Sequence, residues 1–316
     1  MTTKIYEKDF LTRNYMPTFD PAKGIEFGLY TLGDHLPNPY TGKRISAQQR
    51  LQEIVEMARL AEQAGMDTFV VGESHQDFFI SQGHAVLLSA IAQATSRIGI
   101  SSGSTIISTS DPVRVYEDFS TIDLLSNGRV EIVAGRASRV GLFELLGYDL
   151  HDYEALFEEK FELLLQINRE EYVTWEGNFR APLRDAHILP RPLNGHIPIW
   201  RAVGGTPTSA IAAGQAGVPM YLAHLGGTTD VFKRTLDLYR ESARETGYNP
   251  DKLPVSTAGF FYTAEDTSTA INEYYHHINE GMKVTNNRGF PEQAFAQARD
   301  IRSIINVGDP QLIIDK

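Results

Sequence analysis

An arginine, a glycine pair ahead of a threonine, and a glutamate–serine–histidine triplet are the residues of this sequence whose types and spacing fit chemistry. Arg136 follows the apolar run 130–134. Its guanidinium offers a planar fork of donors that matches phosphate oxygens, and the same fork also suits a loop carboxylate. Gly204, Gly205 and Thr206 follow a second apolar run, with Pro207 next. Threonine ahead of a proline is favoured helix-start chemistry, and a glycine pair before a helix N-terminus exposes backbone N–H groups to an anion. The alternative is a tight turn with a threonine cap and no ligand. Thr206 does not fully serve as both cap and anion donor, so Ser209 is a candidate for one of the two roles. Glu73, Ser74 and His75 close a third run. Imidazole can donate a hydrogen bond or move a proton near neutral pH, although a histidine at a strand end is often only structural.

A fourth element is the run Ser101, Ser102, Gly103, Ser104, Thr105 inside an otherwise apolar stretch. Small residues weaken a strand unless something packs closely on them. A flat aromatic ligand is one such partner, and tight packing inside a barrel is the other. Several chemistries are absent. There is no cysteine, which excludes thiolates and disulfides. The nine histidines form neither a His-x-His nor an HExxH pattern, and the adjacent His276 and His277 point in different directions on a helix. No metal site is expected. No Gly-x-Ser-x-Gly nucleophile elbow occurs, and no GxGxxG follows the first strand.

Each polar cluster sits where a short apolar run stops, and that placement sets the architecture. Apolar runs at 25–32, 67–72, 98–107, 130–134, 197–203, 218–223 and 255–262 read as strands. They are apolar on both faces, as a parallel sheet covered by helices requires. Helical segments alternate with them at 84–96, 112–126, 153–167, 207–216, 229–246 and 267–281. The first helix is marked by Ser46 as N-cap and Gln49 three residues on, a capping-box pattern. Its apolar stripe is Leu51, Ile54, Val55, Ala58 and Ala61, and Gly65 is placed to end it. In such folds functional groups gather at the carboxyl ends of the strands, so the four clusters should face one cleft.

The expected fold class is α/β, a (β/α)8 TIM barrel with insertions. Residues 1–24 read as an irregular N-terminal arm and 25–316 as one barrel domain. A barrel takes about 250 residues. The surplus falls chiefly at 170–196 and around 286–295. Only seven strands are found, and the closing GDPQLIIDK reads as the start of a helix. The count therefore predicts that the eighth strand is missing and that the barrel is C-terminally incomplete. The 316 residues carry a net charge of −11, which disfavours nucleic acid and anionic membranes as partners. No stretch approaches the roughly 20 apolar residues that cross a bilayer, and the N-terminus lacks an apolar signal core, so the expected location is cytoplasmic.

The four clusters in this order resemble the bacterial luciferase-like flavin-dependent monooxygenases. The resemblance runs from about residue 25 to 239 and more loosely to the end. It is carried by GESH at 72–75, STSDPVRVYEDFSTIDLLSNGR at 108–129, LFELLGYDLHDYEALFEEKFELLL at 142–165 and VGGTPTSAIAAGQAGVP at 203–219. It implies a (β/α)8 barrel that binds reduced FMN at its C-terminal mouth. Arg136 matches the family's phosphate-binding arginine, and Gly204, Gly205, Thr206 and Ser209 match the other phosphate contacts. Gly103 and Ser104 match a non-proline cis peptide beneath the isoalloxazine. His75 matches the second histidine of the family's Glu-His-His. The first, catalytic in luciferases, is replaced by Ser74, which argues against luciferase-like base chemistry and leaves Ser74 to assist His75.

The implied reaction is oxidation of a small organic substrate by molecular oxygen through a flavin hydroperoxide. A separate NAD(P)H:flavin reductase would supply reduced FMN, since no dinucleotide fold is recognisable. One phosphate site favours FMN over FAD. The alternatives are a deazaflavin-dependent hydride-transfer oxidoreductase and a non-catalytic flavin-binding barrel. The expected assembly is a homo-oligomer, a dimer.

Overall fold

The computed structural model describes residues 24–137, 141–204, 206–223 and 229–316. The N-terminal arm expected at 1–24 lies outside them but for Gly24. Strands β1 (Gly28–Thr31), β2 (Thr68–Val71), β3 (Gly99–Ser102), β4 (Thr105–Ile106) and β5 (Val130–Gly135) come first. An antiparallel hairpin follows, β6 (Tyr172–Trp175) with β7 (Leu183–His187), in the stretch expected to be an insertion. Then come β8 (Ile199–Val203), β9 (Met220–Ala223) and β10 (Val255–Ala258). The main sheet runs β1-β2-β3-β5-β8-β9-β10 with every pair parallel, and β4 pairs with β5 beyond β3. These are the seven expected strand positions, except that the run 255–262, expected as one strand, ends in the main sheet at Ala258 and resumes at Phe261 in a second sheet. They form a nearly closed sheet with helices around it, consistent with a (β/α)8 barrel lacking one strand. A separate parallel pair joins β11 (Phe261–Thr263) to β12 (Asn306–Gly308).

The helices arise from the expected signals. Helix α1 (Ala47–Gln63) is capped by Ser46, whose Oγ accepts from Gln49 N at 3.1 Å, and Gly65 beyond it is left-handed. Ile54, Ala58 and Ala61 of its stripe are buried, while Leu51 stays exposed. Helices α2 (His84–Ala94) and α3 (Pro112–Ser126) follow, the latter capped by Asp111. Next are the short α4 (Gly141–Leu146), then α5 (Tyr153–Arg169), α6 (Pro207–Ala216) and α7 (Thr229–Glu245). Last come α8 (Thr267–Asn286), α9 (Glu292–Ala296) and α10 (Pro310–Asp315).

The pleat sorts side chains between two cores. Phe69, Val71, Ile100, Ile132, Ala134, Ile199, Val203, Met220 and Leu222 pack with the helix side chains in one large cluster. Residues in alternate register, among them Val70, Ser101, Glu131, Trp200 and Tyr221, therefore turn to the barrel interior. A second cluster joins Ala270, Ile271, Ile278, Phe290, Phe295, Ala298, Ile305 and Val307 around the β11–β12 pair.

The stretch 98–107, expected as one strand, is broken between β3 and β4. The ladder between β3 and β5 ends at Ser101 and Glu131. Beyond it Ser102 Oγ accepts from Val133 N at 2.9 Å, a side chain replacing a ladder bond, before β4 resumes the pairing. The break falls at Gly103 and Ser104, and the small serines are what make it tolerable.

Candidate active site

The parallel register brings the sequence's polar clusters to one end of the sheet. Glu73–His75 follow β2, Gly103–Ser104 follow β3, Arg136 follows β5, and Gly204 and Thr206 follow β8. Gly205 lies outside the described residues.

The anion end is built around Arg136. Its Nη1 donates to Ser209 Oγ at 2.9 Å, and its Nη2 approaches Glu158 Oε1 at 3.4 Å. Its guanidinium lies 4.3 Å from the centre of the Phe157 ring, a cation–π contact that fixes its plane. The side chain is only 13% exposed. Ser209 stands in the first turn of α6, whose N-cap residue is Thr206. Thr206 has the extended backbone of an N-cap, yet its hydroxyl makes no capping bond. It donates to Ser209 Oγ instead, at 3.3 Å. The first turn of α6 therefore keeps donors and the positive end of its dipole toward the mouth, beside a buried guanidinium. This is the chemistry of an oxyanion site.

The other end is built around Glu73. Its Oε1 lies 2.8 Å from His75 Nε2, and its Oε2 accepts from Ile106 N at 2.6 Å. His84 Nδ1 stands 3.7 Å from the same carboxylate, while His84 Nε2 lies 2.9 Å from Thr105 Oγ1. Burial holds His84 below the usual imidazole range; the Glu73 charge opposes this and the neighbouring His75 adds to it. His84 is thus a buried ring bonded to Thr105, and His75 is the histidine oriented by a carboxylate. With Nε2 turned to Glu73, Nδ1 is the ring nitrogen left for another partner. Ser74 is buried, and its Oγ donates to Gln76 Oε1 at 2.6 Å.

A continuous floor joins the two ends. The Gly103–Ser104 peptide is cis, as the resemblance implies. Glu73 N donates to Ser104 O at 2.9 Å, and Ile106 pairs with Gly135, the residue before Arg136. A Cβ on Gly103 would overlap Val70 and the Tyr30 ring, and one on Gly135 would overlap Ser104. Glycine at these two positions lets the side chains of Tyr30, Val70 and Ser104 close against the backbone where adjacent strand ends meet. Lys160 pins the turn beyond β4, with Nζ donating to Ser108 O at 2.7 Å. Burial pulls its ammonium down to about 8 against the charges of Asp111 and Glu159.

Two loops form the rim. The loop after β1 pairs with the one after β2 through an Asp34–Phe79 bridge and His35 N to Phe78 O at 2.8 Å. The hairpin loop docks on α5, where Glu159 accepts from Asn178 N at 2.7 Å and Phe179 N at 3.0 Å. Arg180 of that loop pairs with Asp111 at 3.1 Å.

The site also contains residues that the sequence reading left without a role. Arg201, on β8, is 2% exposed and pairs through both terminal nitrogens with Glu158 of α5. Burial alone would raise the Glu158 carboxyl, but hydrogen bonds and charge from Arg201, then Arg136, outweigh it and hold the carboxyl below the usual range. A lone arginine inside the apolar run IWRAV was the available signal. Away from the mouth, near the amino end of β5, Glu131 is another carboxyl without a role in the sequence reading; it lies on the interior face and accepts from Trp200 Nε1 at 2.9 Å. Among the described residues no group of three or more His, Asp or Glu side chains is placed to hold a metal ion. No helix among them is long and apolar enough to cross a membrane.

Comparison with known proteins places this geometry. The alkanal monooxygenase alpha chain of Photorhabdus luminescens is 27% identical over 212 residues, 66% of this chain and 58% of its own. The F420-dependent glucose-6-phosphate dehydrogenase of Amycolatopsis mediterranei is 29% identical over 187 residues, 56% of this chain and 55% of its own. The present chain thus spans under two thirds of the length of these relatives. Among solved structures, the oxygenating constituent of 3,6-diketocamphane monooxygenase from Pseudomonas putida, in complex with FMN, superposes with a TM-score of 0.73. It is 17% identical and covers 92% of this chain and 86% of its own, a likeness of fold. The luciferase-like monooxygenase family matches residues 25–316. The match takes in all the described strands and the whole mouth, and the chain belongs to the luciferase-like monooxygenase family.

Proposed function

We propose that this protein is the oxygenating component of a two-component, FMN-dependent monooxygenase that acts on a small organic substrate in the cytoplasm. The observation that carries the reading is the buried fork of Arg136 beside Ser209 and the uncapped start of α6, at the same end of the sheet as His75 on Glu73. The residues fit the cofactor. The Nε–H of Arg136 is buried without a hydrogen-bond partner, a donor that a phosphate oxygen would satisfy.

FMN, when bound in its reduced form, supplies the electrons that activate molecular oxygen. The chain's own residues do the rest. Arg136, Ser209, Thr206 and the first turn of α6 hold the phosphate. Gly103, Ser104 and Gly135 support the ring. The two rim loops exclude water. His75, aligned by Glu73, takes or returns a proton at Nδ1, with Ser74 beside it in the sequence as the assisting hydroxyl.

The test is oxygen uptake by the purified chain with NADH alone, then with an added flavin reductase and FMN. Uptake and substrate oxidation only in the second case are expected. Rapid NADH oxidation by the chain alone would remove the two-component reading. Turnover with a reduced deazaflavin and none with FMN would replace oxygenation by hydride transfer.

A further inference from the structure

Helix α5 presents Glu154, Phe157, Glu158 and Phe161 at helical i, i+3, i+4 and i+7 spacing, and this face meets Arg136 at the mouth and the buried Arg201 of β8. The Phe157 ring lies under the two guanidinium groups, 4.3 Å from Arg136 and 4.8 Å from Arg201. Two arginines thus share two carboxylates, but the carboxylates are not equivalent.

Glu158 is fixed. It accepts from Nη1 of the buried Arg201 at 2.9 Å and from its Nη2, so releasing it would strand a buried charge. Its contact with Arg136 Nη2 is long, at 3.4 Å. Glu154 is loose. Its side chain is 68% exposed, and its Oε2 lies 3.2 Å from Arg136 Nε. That carboxylate sits off the line of the Nε–H, which remains buried without a hydrogen-bond partner. The Glu154 contact is therefore Coulombic, and the N–H is an unsatisfied donor that an oxygen could reach once Glu154 moves aside.

We propose that Glu154 competes with an incoming phosphate for the Nε edge of Arg136 and so sets the affinity of the anion site, while Glu158, held by Arg201, positions the guanidinium. This deepens the flavin reading and rests on it only for the identity of the phosphate-bearing ligand. A phosphate that reaches Arg136 meets the Glu154 charge at close range. Glu154, in the first turn of α5 and open to solvent, can swing away; Glu158 cannot. The device weakens binding of any anion too weak to displace a carboxylate and favours the doubly charged phosphomonoester.

The experiment uses the full chain with Glu154→Gln and Glu154→Lys. FMN and riboflavin, which lacks the phosphate, are titrated by flavin fluorescence at low and high salt. Melting is followed with and without inorganic phosphate. Removing an exposed ion pair and a nearby repulsion should tighten FMN about three- to tenfold in Glu154→Gln, and further in Glu154→Lys. Riboflavin affinity should not move, and the FMN gain should shrink at high salt. Equal or weaker FMN binding by Glu154→Gln, or the same change for riboflavin, overturns the proposal. If the wild type binds neither flavin, the flavin reading fails and the phosphate melts decide. A larger phosphate shift in Glu154→Gln than in the wild type then upholds the role of Glu154, and an equal shift overturns it.

Discussion

Glu131 gives this protein a pH dependence opposite in sign to the usual carboxylate. Its side chain, on the interior face of β5, is pushed up from 4.5 to about 7, first by burial and then by the charge of Glu26, against the Trp200 hydrogen bond. In the folded chain the group is protonated over a range where the unfolded chain has lost the proton. A folded pKa above the unfolded one means that its stabilisation is complete below pH 4.5 and is lost as pH rises to about 7. At about 1.4 kcal/mol per unit, the loss across that window is about 3 kcal/mol. That figure is a ceiling, because the side chain is only partly buried. The Glu131→Gln variant keeps the shape and an oxygen for Trp200 Nε1 but cannot ionise. Wild type and variant should therefore match in stability near pH 4.5 and diverge as pH rises, the wild type falling by up to roughly 5 °C in melting midpoint.

The difference between the two curves is the quantity to follow, because other groups titrate in common. Glu62 belongs to a different window. Burial raises it, but backbone bonds from Ile98, Arg97 and Ser96 bring it down to about 2, so its contribution is lost only as pH falls below 4.5. Thermal or urea melts at half-unit steps from pH 4.5 to 8 suffice. A flat difference across this range would refute the reasoning, and so would a wild type that gains stability relative to the variant as pH rises.

Arg136→Ala should weaken FMN by roughly ten- to 150-fold, the equivalent of losing charged hydrogen bonds of about 1.5–3 kcal/mol, and leave riboflavin unchanged; equal FMN affinity would remove the phosphate role from Arg136. His75→Ala should lower turnover by about 10²–10⁴-fold while flavin affinity moves only a few fold, and a variant that loses stability alone would return His75 to a structural role.

The seven strand positions were legible in the sequence because their signals are local. Apolar runs of strand length and Ser46 with Gln49 each act within one element, and parallel strands then leave little freedom of topology. Arg136 and His75 were legible as candidates for a related reason, since polar residues at the ends of parallel strands gather at the mouth, while Ser209 was legible from the helix start and Gly103 from the run of small residues. The tertiary structure decided what those residues hold. Arg201 and Glu158 lie 43 positions apart, and Glu131 and Trp200 lie 69 apart. No periodicity links such pairs; only the curvature of the sheet and the packing of α5 bring them together. The same holds for Thr206, whose N-cap position is written in the sequence while its hydroxyl turns to Ser209. The break between β3 and β4 also depended on distant contacts, since Ser102 replaces a ladder bond only because Val133 of β5 stands opposite it. Local pattern fixed where each functional group sits along the chain, and long-range contact fixed its partner and charge.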